Sequence, residues 1–348
     1  MNKTVPELLA PAGNIAAALA AFDAGADAVY AGLNRFNARE RSENFSIITL
    51  AKIIEYAHRQ KKKVYVTFNT LVKESELSDA ASILAELASI GPDALIVQDF
   101  GILRLAREYF PSLPLHASTQ MGFHNSAGLR LAAKLGVRRV ILERQITLAE
   151  LHVLAKDAPV ELETFIHGAL CCSLAGKCLF SSWHGGHSGN RGRCKQPCRR
   201  RFFADDGNGF FFSTNDLCTP DLIKEFSRAG IASLKIEGRL RQPDYVTNVV
   251  SAYRRILDAP EMPDRKLLGE VRNILSGSYG RKWSHGYYDA EKSGPMVQHD
   301  SFGASGLLCG KVMSATDRGF TVSANKPLYL GDRIRIQPAS GDEGPALI

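Results

Sequence analysis

The chain has 348 residues, 45% of them hydrophobic and 23% charged, with a net charge of +7. This is ordinary globular usage, which excludes global disorder and a collagen-like chain, and no apolar run approaches the roughly 18 residues of a membrane span. The first seven residues, Met1 to Glu7, carry no apolar signal core, so a cytoplasmic protein is expected.

From the N-terminus, short apolar runs alternate with segments of helical period. The runs are Glu7–Leu9, Ala28–Tyr30, Val64–Phe68, Ala94–Val97, Leu115–Ala117, Arg139–Leu142 and Val160–Phe165; helical stretches such as Ile15–Asp23, Leu50–Arg59, Leu77–Ile90 and Ala127–Leu135 separate them. Strand–helix alternation at this spacing predicts parallel βα units. After Phe165 comes an insertion rich in Cys, Gly and Arg, about 167–208. A strand is expected at Phe210–Phe212, a helix capped by Thr219 with Pro220 in its first turn, a strand at Ala232–Ile236 and a closing helix at Pro243–Leu257. Residues 1–258 therefore predict an α/β fold, a (β/α)8 TIM-like barrel with its insertion after strand 7; an open doubly wound sheet is the alternative. Residues 259–305 read as a connector. From 306 to 348 the period changes to two, and Gly306–Met313, Gly319–Ala324 and Asp332–Gln337 predict a small β-rich module with turns at 317–319 and 330–332. Three strands are too few to close a barrel, so this module is expected to be incomplete or abbreviated.

A barrel places its chemistry at the C-terminal ends of its strands. Those positions hold Asn14, Asn69, Gln98, His116, Gln120, Glu143, Arg144, His167, Lys235, Glu237 and Arg239. Each alone reads first as a cap or turn residue; together they predict a polar pocket. Lys235, Glu237 and Arg239 alternate with Leu234, Ile236 and Gly238, so a strand puts the three charges on one face. They form either a salt-bridge ladder or a cationic anchor for a carboxylate or phosphate.

Five of the seven cysteines lie within 28 positions, and four have the spacing Cys171-x6-Cys178-x15-Cys194-x3-Cys198. In a cytosolic chain such density points to a metal rather than disulfides. The paired close spacings of a zinc knuckle are missing, and wide spacing suits an iron–sulfur cluster; zinc and unligated thiols stay as alternatives. Cys218 and Cys309 read as core residues. Arg191, Arg193, Lys195, Arg199, Arg200 and Arg201 place six positive charges in eleven positions. The run is a solvated face or a grip on nucleic-acid phosphates. A nucleophile elbow, a His-Glu-x-x-His helix, a P-loop and a Gly-x-Gly-x-x-Gly turn are all missing from the sequence.

The stretch from Glu163 to Cys171, then Gly176-Lys177-Cys178-Leu179-Phe180-Ser181-Ser182, resembles the signature of the peptidase U32 family. So do Asn190 to Arg199, Leu8 to Gly13, Asp23 to Tyr30 and Lys235 to Arg239. The resemblance implies a barrel and, from the better understood members, O2-independent hydroxylation of tRNA uridine, of 23S rRNA cytidine or of ubiquinone precursors. It implies a 4Fe–4S cluster on Cys171, Cys178, Cys194 and Cys198, with prephenate as hydroxyl donor for the RNA enzymes. The C-terminal module and the basic run favour the RNA branch, with RNA as partner and no membrane. The alternatives are a collagenase-like peptidase, as the family name says, and a cluster-bearing subunit of a quinone-precursor hydroxylase. A protein partner or homo-oligomer stays open.

Overall fold

The computed structural model describes residues 5–40, 43–278, 280–289, 295–303, 306–317, 319–332, 334–342 and 344–347. In chain order the elements are β1 Glu7–Pro11, α1 Ile15–Asp23, β2 Ala28–Gly32, α2 Ile47–Arg59, β3 Lys63–Phe68, α3 Leu77–Ile90, β4 Ala94–Val97, α4 Phe100–Tyr109, β5 Leu115–Ala117, α5 Ser126–Lys134, β6 Arg139–Ile141, α6 Leu148–Lys156 and β7 Glu161–Ala169. The insertion contributes α7 Phe180–Trp183, β8 Phe202–Ala204, β9 Gly207–Gly209 and β10 Asp216–Cys218. Then follow α8 Ile223–Ala229, β11 Ser233–Ile236, α9 Pro243–Asp258, α10 Arg265–Ser276, β12 Trp283–Ser284, β13 Gly310–Thr316, β14 Gly319–Ala324, β15 Ile334–Arg335 and β16 Ala346–Leu347.

Strands β1 to β7 pair in sequence, all parallel, and β11 pairs with both β7 and β1. The sheet is therefore a closed eight-stranded barrel, and Glu7 sits opposite Ser233 across the closing seam. The strands β2, β4 and β6 are buried throughout, because helices cover one side and the barrel interior the other. The helices begin where side chains accept the first free N–H groups: Asn14 from Ala17, Ser46 from Thr49, Asp99 from Ile102 and Thr147 from Glu150.

The barrel axis carries a charged plug. At the N-terminal end, Glu7 meets Arg139 at 2.7 Å, Lys63 at 3.0 Å and the Tyr65 hydroxyl at 2.7 Å. Further in, Glu163 lies 3.3 Å from Arg139 and 2.8 Å from Lys235. Lys235 Nζ also stands 4.2 Å from the centre of the Tyr30 ring. Buried charges persist only when paired in this way.

The insertion differs from expectation. Phe210–Phe212 forms a turn, closed by a hydrogen bond from Ser213 N to Phe210 O. The strand there is β10, antiparallel to β7 and outside the barrel wall. Thr219 does not cap its helix; its hydroxyl donates to Ile166 O at 2.9 Å, and a 3₁₀ turn at Pro220–Leu222 precedes α8. The connector supplies α10 and β12, and β12 extends the sheet beside β10. Further on, β13 and β14 pair as a hairpin, while β15 pairs with β16 rather than with them. Of the expected turn at 317–319, Arg318 lies outside the described residues.

Candidate active site

A cavity of about 670 Å³ opens at the C-terminal ends of the barrel strands. Its floor is Tyr30, Thr67, Phe165 and Lys235; its walls are the insertion loops. Cys171, Cys172, Cys178, Cys194 and Cys198 all line it, and all are free thiols. Cys218 lies apart, buried on β10 opposite His167, and Cys309 bonds the Leu307 carbonyl at 3.1 Å.

Barrel side chains shape the first cysteine loop. The buried Glu143 carboxylate accepts from Thr119 Oγ1 and Arg144 N, both at 3.2 Å, and from Ala175 N. Gln145 Nε2 reaches the carbonyls of Cys171 at 3.4 Å and Ser173 at 3.2 Å. Gly176 is left-handed at φ +72°, and a Cβ there would stand 2.0 Å from the Gln120 carbonyl, so this turn requires glycine. The second loop rests on Arg199, whose guanidinium donates to Leu170 O at 2.6 Å, to Ser213 Oγ at 3.2 Å and to Thr214 O.

Cations surround the thiols. Among the described residues, Arg39, Arg144, Lys177, Arg199, Lys235 and Arg239 line the cavity, against a single carboxylate, Glu237. Burial alone would raise the Glu237 carboxyl, but Arg39 and Arg144 hold it below its usual range. Burial pushes the Cys171 thiol up. A hydrogen bond shared between Cys172 and Cys198 lowers the first thiol and raises the second. Among the described residues, no three His, Cys, Asp or Glu side chains converge on a point that would hold one metal ion. A zinc ion would take such thiolates at about 2.3 Å. A four-iron cluster is a larger body that takes its thiolates from several loops, and its negative charge suits a cationic wall. Thiols from both loops on a cationic wall are the donor type that such a cluster takes.

The structure separates the expected site residues. Asn69, Gln120, Arg144, Lys235, Glu237 and Arg239 line the cavity. Asn14 instead caps α1 and donates to Glu43 at 2.8 Å. Gln98 and His116 are buried beneath the cavity, and His116 packs edge-on to Tyr65 with ring centres 4.8 Å apart. Burial drives the His116 imidazole well below its ordinary range, so it stays neutral. His167 points to α9: its Nδ1 lies 3.2 Å from the Tyr253 hydroxyl, and burial presses its pKa down to about 4. Lys235 is paired with Glu163 inside the barrel. Arg239 gives its fork to Thr67 at 2.8 Å, Asn37 at 2.9 Å and Asn44 at 2.5 Å, and burial lowers it to about 10. The strand ends at Ile236, so only Lys235 of the three lies on it; Glu237 and Arg239 follow in the loop, and Lys235 and Arg239 serve the scaffold.

The basic run divides in the same way. Arg191 pairs with Glu76 at 2.5 Å, Arg193 with Glu40 at 2.7 Å and Arg201 with Asp342 at 3.0 Å. Arg199 is buried, while Lys195 and Arg200 are exposed. Four of the six thus brace loops, Arg193 while still exposed. Arg39 was missed by sequence reasoning. It lies in the long loop after β2, and only its carboxylate partner 198 positions away reveals it.

The family model described as peptidase family U32 matches residues 13–298. The chain belongs to the U32 family. Among its curated relatives, the 23S rRNA 5-hydroxycytidine synthase of Escherichia coli is 33% identical, over 95% of this chain and 52% of that protein. An uncharacterised protease of Methanocaldococcus jannaschii is 37% identical over 81% and 72% of the respective chains. The tRNA hydroxylation protein P1 of Bacillus subtilis is 33% identical over 73% and 63%. The U32 chain described here spans about half the length of the first of these. No described helix is long and apolar enough to cross a membrane.

Proposed function

We propose that this U32 chain is the catalytic barrel of an O2-independent RNA hydroxylase. It would add oxygen to a pyrimidine of tRNA or 23S rRNA, with a 4Fe–4S cluster on Cys171, Cys178, Cys194 and Cys198 and prephenate as hydroxyl donor. One observation carries the reading: two cysteine loops face a common cavity whose wall, among the described residues, holds six cations and one carboxylate. The names of the rRNA and tRNA relatives support RNA as substrate. Bound, the cluster supplies one-electron chemistry at the cavity wall.

The chain's own residues bind and orient. A cavity of about 670 Å³ has room for an unstacked base together with a small acid. Leu174, Leu179 and Phe212 give its rim apolar surface for a base, and all three are exposed. Lys177, Lys195 and Arg200, also exposed, are suited to backbone phosphates. The Arg144 guanidinium carbon stands over Phe165, 3.9 Å from the ring centre, which keeps the group against the floor.

Mass spectrometry of nucleosides from a deletion strain tests the reading. One pyrimidine should lose a single added oxygen and regain it on complementation; an unchanged nucleoside profile refutes it. The M. jannaschii relative's name favours a protease as second reading. Gelatin cleavage by the purified chain, abolished by Glu237→Gln, would establish that instead.

A further inference from the structure

Arg199 joins the two cysteine loops. It follows Cys198 in the chain, and its Nη2 donates at 2.6 Å to the carbonyl of Leu170, the residue before Cys171. Its Nη1 donates to Ser213 Oγ at 3.2 Å and to Thr214 O. Thr214 Oγ1 donates to the same Leu170 carbonyl at 2.9 Å, so both cysteine loops and the stretch before β10 meet at one point. The planar guanidinium fork holds these directions at fixed angles. The side chain is also a buried cation, only 5% exposed. Among the described residues it forms no ion pair with a carboxylate: the oxygens it meets belong to two carbonyls and a hydroxyl. Asp216 attracts it from a distance, but Asp216 is already shared by Arg281 at 3.6 Å and Arg241 at 3.7 Å, and Arg281 repels Arg199. A buried charge is kept only where something balances it. The other groups that attract Arg199 are the sulfurs of Cys198 and Cys172, once ionised.

We propose that Arg199 is a positioning residue for the 4Fe–4S cluster: it holds the Cys171 and Cys198 loops at one separation and supplies the buried positive charge that balances the thiolate-bound core. The inference rests on the cluster reading and adds to it a residue that ligates no iron and touches no substrate. A core held by four thiolates is negative in both oxidation states, and more so when reduced. A cation fixed beside it therefore favours cluster binding and, more strongly, the reduced form.

Iron analysis and a spectroscopic redox titration test it on protein purified without air, with far-UV circular dichroism on every variant. Arg199→Lys keeps the charge and loses the fork; Arg199→Gln keeps a donor and loses the charge. Arg199→Lys should retain most of the parent's iron and a potential near the parent's. Arg199→Gln should lose most of its iron. In the clusters that stay, the equilibrium should shift about tenfold towards the oxidised form, a fall of about 59 mV for one electron. An arginine that only braced the loops would lower the iron of both variants alike and leave the potential in place. Hydrogen exchange on the same preparations gives a second measure: Arg199→Lys should speed exchange of the amides at 170–178, across the tie from the changed residue. If Arg199→Gln does not fold, this measure decides, and unchanged exchange overturns the proposal. Equal iron in the two variants, or an unchanged potential in Arg199→Gln, overturns it as well. With iron in the parent, those results remove the role of Arg199 and leave the cluster reading standing; a parent without iron removes both.

Discussion

Glu163→Gln tests the charged plug. Glu163 is wholly buried, 2.8 Å from Lys235 and 3.3 Å from Arg139. Neutralising one partner of a buried ion pair costs about 3–5 kcal/mol, because the other charge stays buried without compensation. Arg139 keeps Glu7 at 2.7 Å and Glu161 at 2.8 Å, so the loss falls chiefly on Lys235. The lower end applies: about 3 kcal/mol, a large share of the roughly 5–15 kcal/mol of a folded domain. Urea unfolding followed by far-UV circular dichroism should show the midpoint falling with an unchanged slope. The double variant Glu163→Leu with Lys235→Met removes both charges and should return most of the loss. A cost under about 1 kcal/mol for Glu163→Gln would refute the ion-pair reasoning. A double variant as unstable as Glu163→Gln would equally refute it.

Serine at Cys171, Cys178, Cys194 or Cys198 should lower the iron content of protein purified without air, and serine at the buried Cys218 should not; one equivalent of zinc and no iron would end the cluster reading. His167 has a folded pKa of about 4 against an ordinary 6.5, so its neutral form favours the folded state. That contribution is complete above pH 6.5 and lost as the pH falls towards 4; His167→Gln should flatten this limb of the stability profile, and an unchanged limb would count against the burial argument. RNA affinity should fall with salt, and Lys195→Ala with Arg200→Ala should flatten the slope by about 0.7 per lost single-strand contact. Arg201→Ala, which breaks a loop brace to Asp342, should leave the slope in place; the reverse pattern would return the phosphate role to the braced arginines.

The sequence by itself determined the barrel. Buried parallel strands must be apolar throughout, and helices must show one apolar stripe, so β1 to β7, β11 and their helices are legible in chain order. The cysteine spacing likewise marked the loops that meet at the mouth, because five thiols so close in sequence have few uses other than holding a metal. Local pattern could not say which polar side chain serves the cavity and which serves the scaffold. Lys235, Glu237 and Arg239 alternate with Leu234, Ile236 and Gly238 and look equivalent in sequence, yet the strand ends at Ile236. Tertiary structure gives Lys235 to Glu163, 72 positions away, and Arg239 to Asn37 and Thr67 across the barrel. Glu237 alone of the three pairs with cations of the cavity wall, Arg39 from one loop and Arg144 from another. An ion pair forms wherever the fold brings opposite charges within about 4 Å in a medium of low dielectric, and sequence separation does not enter that energy. The role of each charge was therefore decided when the barrel closed and its loops met.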